Sequence, residues 1–152
     1  RVKAGANYHQ SQLVSTQARV DGYDNAVILN NQDKVSEGPG ACLMIVRDGR
    51  PITPSVTAGI LESITRDTLR ELFAAELKLE LVEREIDRTE LYVADEVFYC
   101  GSAYEILPIT SVDRYPVGNG TVGPVCRQIR QLYRDVVRGV TPKYKHWLTP
   151  VY

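Results

Sequence analysis

Hydrophobic and polar positions change period several times along the chain, and each change marks an element. From Asn7 to about Val20, Leu13, Val14 and Ala18 recur at offsets of one and four, so a helix with one apolar stripe is expected, ended by Gly22. Ala26 to Leu29 is a short apolar run. Asn30-Asn31-Gln32-Asp33 then supplies turn chemistry, and Lys34 to Glu37 can return as a partner strand. Cys42 to Val46 reads as another strand, Asp48-Gly49 as a hairpin turn, and Pro51 to Thr53 as the start of the return. Leu69, Leu72, Phe73 and Leu77 recur at three- and four-residue spacing, which predicts an amphipathic helix over Arg66 to Lys78 with Thr65 as its N-cap and Asp67 in its first turn. Leu79 to Glu85 alternates as a strand with Glu80, Glu83 and Glu85 on its wet face, followed by a short helix around Arg88 to Tyr92. Strands over Glu96 to Cys100 and Glu105 to Val112 flank the tight Gly101-Ser102 segment. Val125, Ile129, Leu132 and Val136 mark a last long helix ending near Gly139, with Arg127, Arg130, Arg134 and Arg138 as a solvated side.

These strands and helices mix without a regular β-α-β beat, which points to a compact α+β domain with an irregular, barrel-like sheet. The chain has 152 residues, room for a single domain with one sizeable core. A hydrophobic share of 43% and a net charge of −1 argue against disorder. The same balance offers no basic field for nucleic acid, and apolar runs of a few residues fit no membrane-spanning helix. The cysteines, Cys42, Cys100 and Cys126, form no CxxC pair, and His9 and His146 lie far from any ligand spacing. Free thiols in a reducing cytoplasm are therefore expected, with no metal. The only methionine is Met44, and the chain opens directly on Arg1-Val2-Lys3, so it is read as the C-terminal part of a longer polypeptide whose N-terminal domain is absent.

Four short stretches carry candidate chemistry: Lys3-Ala4-Gly5-Ala6-Asn7-Tyr8, Val35-Ser36-Glu37-Gly38-Pro39-Gly40, Ile60-Leu61-Glu62-Ser63-Ile64-Thr65-Arg66-Asp67, and Ala94-Asp95-Glu96-Val97-Phe98-Tyr99-Cys100-Gly101-Ser102-Ala103. A desolvated lysine amine loses its proton and becomes a nucleophile, although a lysine near a chain end is by itself usually solvated. Glu37 is set among glycines, which let backbone approach a ligand. Thr65, at an expected helix start, offers free N–H groups and positive potential to a phosphate.

In their order, and with Gly123-Pro124-Val125 and Lys145-His146-Trp147-Leu148 in the tail, these stretches resemble the C-terminal large domain of the branched-chain aminotransferases, pyridoxal 5'-phosphate enzymes of fold type IV. The resemblance covers essentially the whole chain. It implies amino-group transfer between an amino acid, of branched-chain type, and a 2-oxo acid through a lysine Schiff base. By resemblance Lys3 is that lysine and the proton shuttle, Tyr8 donates to the cofactor's ring O3′, and Glu37 pairs with the pyridine nitrogen. Ile64 and Thr65 supply backbone amides and a hydroxyl to the cofactor phosphate, and Ser102 supplies another hydroxyl. The turn amides of Ser102 and Ala103 face the substrate carboxylate, with Tyr104 at the pocket edge. A smaller N-terminal domain that completes the site, and a homodimer or larger homo-oligomer, are implied in the same way.

The sequence departs from the family pattern at Ser63, where glycine is usual, at Ser102, where threonine is usual, at Tyr104, where a small alanine is common, and at Ala41-Cys42, where Glu-Asn is usual. Alternatives are another fold-type-IV enzyme (a D-amino acid or R-selective amine aminotransferase, or aminodeoxychorismate lyase) and a non-catalytic module that keeps the fold.

Overall fold

The computed structural model describes residues 3–151; Arg1, Val2 and Tyr152, and with them the opening of the chain, lie outside the described residues. After a 3₁₀ turn over Gly5–Tyr8 come α1 (His9–Val20), β1 (Glu37–Gly38), β2 (Ala41–Arg47), β3 (Arg50–Thr53), α2 (Ile64–Leu72), β4 (Val82–Glu83), α3 (Glu90–Val93), β5 (Glu96–Gly101), β6 (Glu105–Ile109), β7 (Ser111–Val112), β8 (Tyr115–Pro116) and α4 (Pro124–Val137). The main sheet runs β4-β3-β2-β5-β6, and β1 shares with β3 the edge of β2 that β5 leaves open. All pairings are antiparallel except β3 with β4. The α+β architecture is as expected, but the sheet is open rather than barrel-like, with β4 and β6 as its ends.

Residue alternation on β2 explains why its sequence is apolar without a break. Cys42, Met44 and Val46 point to one face, against Leu69, Leu72 and Phe73 and the α4 residues Ile129, Tyr133 and Val136. Ala41, Leu43 and Ile45 point to the other face, against Val35, Ile86 and Leu91. A strand covered on both faces has no polar side. β5 repeats the division, with Phe98 and Cys100 facing the helices and Val97 and Tyr99 facing away.

The β2–β3 hairpin forms as predicted. Asp48 and Gly49 both take positive φ, 51° and 72°, the geometry whose twist matches paired strands. Other expectations shift. Backbone turns helical one residue before Thr65, so the cap of α2 is Ser63, whose Oγ accepts from the Arg66 amide at 3.3 Å. The expected Arg66–Lys78 helix starts at Ile64, widens into a π-turn over Phe73–Leu77 and stops at left-handed Lys78. On α1, Leu13 is 72% exposed and only Ala18 is buried, so the expected stripe does not face this core. The alternating segment 79–85 pairs only at Val82–Glu83, because Leu81 joins one core cluster and Val82 and Ile86 the other. The chain therefore wraps the sheet edge instead of running along it. Glu83 meets Arg66 at 2.7 Å and also bonds Arg70.

One buried carboxylate holds the last helix in place. Glu96, 5% exposed, accepts from the amides of Val125 (2.9 Å) and Cys126 (2.7 Å). Pro124 has no N–H to satisfy, so the first three helical residues of α4 leave no donor unpaired. Gly123 is required beside it: a Cβ there would lie 2.1 Å from Glu96 Cδ.

Candidate active site

The hairpin β1–β2 sets Glu37 directly opposite Cys42, and Gly38 opposite Ala41, around the two-residue turn Pro39-Gly40. Cys42 in turn pairs with Cys100 near the end of β5. Side chains of directly paired residues share a face, so Glu37 and Cys42 both point toward the helical side, where segment 60–65 approaches. There the Leu61 amide donates to Glu37 Oε2 at 3.0 Å, and the Cys42 thiol donates to the Leu61 carbonyl at 3.4 Å. Gly101, the last residue of β5, stands over Ala41, and Ser102 and Ala103 follow on the surface.

Electrostatics mark Glu37 as unusual. It is half-buried, and burial raises its carboxyl above the ordinary range while the Leu61 N–H works in the opposite direction. Its other oxygen, Oε1, has no hydrogen-bond partner among the described residues. A carboxylate desolvated without a counter-charge is a natural partner for a cation. Burial, with the negative Glu37 adding to it, pushes the Cys42 thiol up to about 11, so it is a neutral S–H donor at pH 7.

The start of α2 lies just beyond Leu61. Ser63 satisfies Arg66, and its carbonyl accepts from Asp67, which leaves the first two helical amides, those of Ile64 and Thr65, without a backbone acceptor among the described residues. Thr65 is 3% exposed; the Ile64 side chain is 86% exposed and contributes only backbone here. The buried guanidinium of Arg66 turns away, to Thr53 Oγ1 (3.3 Å), the Pro54 carbonyl (3.2 Å) and Glu83. It anchors the helix to the sheet.

A second group gathers on the other side of the hairpin. Tyr8 and Tyr104 line one cleft of about 590 Å³ together with Pro39, Gly40 and the polar α1 residues Ser11 and Gln12. Tyr104 packs 6.3 Å from the Tyr99 ring, centroid to centroid, and accepts at its hydroxyl from Asn25 Nδ2 at 3.4 Å.

A model of the amino-transferase class IV family matches residues 2–112. The chain belongs to that family. Among curated proteins, a probable branched-chain-amino-acid aminotransferase of Aquifex aeolicus is 45% identical over 152 residues, all of this chain and 49% of that protein. The crystal structure of the branched-chain amino acid aminotransferase from Thermobaculum terrenum in its PLP-form superposes with a TM-score of 0.97 at 53% identity, covering all of this chain and 50% of that one. The branched-chain aminotransferase from the thermophilic archaeon Thermoproteus uzoniensis, solved with norvaline, gives 0.94 at 44% identity, covering 99% of this chain and 50% of that one. The chain thus spans about half the length of the curated relatives it matches.

Within this class IV domain, the structure brings Glu37 to the Leu61–Thr65 segment, and Tyr8 to Tyr104. Ser102 and Ala103 lie exposed at the turn after β5, the first and second residues beyond Gly101. Lys3 is exposed and, among the described residues, makes no hydrogen bond or ion pair with Glu37, Thr65 or Ser102. Two participants escape a motif reading. Leu61 acts through its backbone, which no residue type announces. Cys42 stands in the sequence only as a departure from the family pattern, and its place opposite Glu37 comes from the hairpin register, which the two-residue Pro39-Gly40 turn fixes. Gly38 also meets a packing demand from Tyr99, whose Cε1 would lie 2.6 Å from a Cβ there.

Among the described residues no helix is long and apolar enough to cross a membrane.

Proposed function

We propose that this chain is the cofactor-binding part of a pyridoxal 5'-phosphate-dependent aminotransferase of branched-chain type, one domain of a longer polypeptide that works as a homodimer or larger homo-oligomer. Glu37 carries the reading: a half-buried carboxylate held through one oxygen by Leu61 and unpartnered at the other among the described residues, beside the open amides of Ile64 and Thr65. That donor set suits a group with a basic ring nitrogen at one end and a phosphate at the other. Membership of the family and the names of the relatives point the same way.

When bound, pyridoxal phosphate supplies the aldehyde and the electron-withdrawing ring that transamination needs. Glu37 Oε1 holds the proton on the ring nitrogen, because an adjacent anion favours the charged ring. The Ile64 and Thr65 amides, with the Thr65 and Ser102 hydroxyls, bind the phosphate at the positive end of α2. The Tyr8 phenol donates to the ring oxygen and orients the ring. Lys3 Nζ anchors the cofactor and then moves the proton at the substrate Cα. The amides of Ser102 and Ala103 orient the substrate carboxylate, and Tyr104 limits the volume for the substrate side chain. Substrates are branched-chain amino acids and 2-oxo acids, and the three buried free thiols suit a reducing cytoplasm.

Adding pyridoxal phosphate to the full-length protein tests this. A visible absorbance band should develop, and borohydride followed by peptide mass analysis should place a reduced cofactor adduct on Lys3. Lys3→Ala should lose the band, the adduct and the conversion of leucine with 2-oxoglutarate. Turnover close to wild type in that variant would overturn the assignment.

A further inference from the structure

We infer that Cys42 is a positioning residue for Glu37, acting through the backbone of Leu61. The inference rests on the reading that Glu37 faces the ring nitrogen of pyridoxal phosphate. Glu37 and Cys42 are direct partners across the β1–β2 hairpin, and both reach the same residue of segment 60–65. Leu61 N–H donates to Glu37 Oε2 at 3.0 Å, and Leu61 C=O accepts from the Cys42 thiol at 3.4 Å. These two bonds lie on either side of the φ and ψ of Leu61, the only soft backbone torsions between them. Fixing both ends fixes the direction of the N–H that aims the carboxylate.

The segment that Cys42 bonds through Leu61 leads directly into Ser63, the residue that caps α2 by accepting from the Arg66 amide. One buried side chain, 2% exposed, therefore ties β2, the strand against which Glu37 is paired, to the loop that leads to Ile64 and Thr65. Its environment keeps it a neutral donor, and a thiolate could not donate to a carbonyl. β1 is only two residues long, and its backbone is held by two residue pairs with β2 and by the Ile28 amide on the Glu37 carbonyl at 2.8 Å, but among the described residues the carboxylate itself is aimed by the Leu61 N–H. Without the thiol, the Leu61 carbonyl loses its partner, segment 60–63 is freer to rotate, and the carboxylate loses its fixed donor.

The test uses the full-length protein and four variants: Cys42→Ala, which removes the donor, Cys42→Ser, which keeps one, Glu37→Gln, and the double variant Cys42→Ala with Glu37→Gln. Hydrogen exchange at the Leu61 amide in the cofactor-free protein reads the tether alone. Protection should fall in Cys42→Ala and be retained in Cys42→Ser; unchanged protection in Cys42→Ala overturns the inference and leaves the functional reading standing. In the loaded protein, the pH midpoint of the visible band should move in Cys42→Ala toward that of Glu37→Gln, with Cys42→Ser close to wild type. The kcat should fall about 2- to 10-fold in Cys42→Ala, the worth of one hydrogen bond, with KM for the amino donor little changed. In the Glu37→Gln background, Cys42→Ala should add nothing. A full additional loss there, or a Cys42→Ser variant as impaired as Cys42→Ala, overturns the positioning role. A visible band that survives Lys3→Ala sinks the functional reading instead, whatever the exchange data show.

Discussion

Removing the carboxylate of Glu96 should unseat the N-terminus of α4 and destabilise the whole domain. Its two oxygens take the amides of Val125 and Cys126 at 2.9 and 2.7 Å, in a site only 5% exposed. Glu96→Ala leaves both N–H groups buried and unpaired, at about 1–3 kcal/mol each. It also takes a negative charge from the positive end of a 14-residue helix, worth up to about 2 kcal/mol in a partly buried setting. These effects overlap, since both describe the same charge-assisted bonds, and water reaching the vacated space recovers part of the loss. The net expectation is about 3–5 kcal/mol for Glu96→Ala. Glu96→Gln keeps one acceptor but turns an NH₂ group toward the second amide, so about 2–3 kcal/mol is expected there. Urea unfolding of the full-length protein measures both, and hydrogen exchange over 124–137 locates the damage. A loss below about 1 kcal/mol in Glu96→Ala, or exchange in α4 as slow as in wild type, would refute the capping argument.

Gly38→Ala should cost about 1–3 kcal/mol in urea unfolding, because its Cβ would meet a Tyr99 ring that is itself held by donation to the Ala26 carbonyl at 2.6 Å; an unchanged midpoint would show that the ring can move. Burial raises the Glu37 carboxyl, so its contribution to folded stability is present below the unfolded value of about 4.3 and lost as pH rises through the folded value. Cofactor-free Glu37→Gln should accordingly be more stable than wild type at pH 7, and the difference should shrink toward pH 4; a difference independent of pH contradicts the burial argument. Tyr104→Ala should change relative kcat/KM among amino donors by about 10- to 200-fold if the phenol lines the substrate pocket, and an identical profile places it outside.

Much of this fold is written in local sequence. Asp48-Gly49 specifies its turn because both residues tolerate positive φ, and the run from Cys42 to Val46 announces a strand, which the structure covers on both faces. The expected stripe Val125, Ile129, Leu132 and Val136 announces α4, and its members Ile129 and Val136 are buried with Cys126 and Tyr133, while Val125 and Leu132 are only partly so. The motif residues Glu37, Thr65 and Ser102 stand out as types suited to anion and cation partners. Family membership follows from the same stretches.

What the sequence could not supply depends on which segments meet. The N-cap of α2 fell to Ser63 instead of Thr65 because the cap is decided by where the backbone leaves extended geometry, and serine and threonine are both good acceptors there. Leu13 looked like core but is exposed, since periodicity reports an apolar face and says nothing of what covers it. Glu96 caps a helix that begins 28 residues later, and Leu61 offers only main-chain atoms to Glu37 and Cys42. Local pattern fixes backbone torsions and which faces are apolar, because those are set by near neighbours. The partners of a buried polar group are set by chain segments distant in sequence, and only the packed tertiary structure decided them.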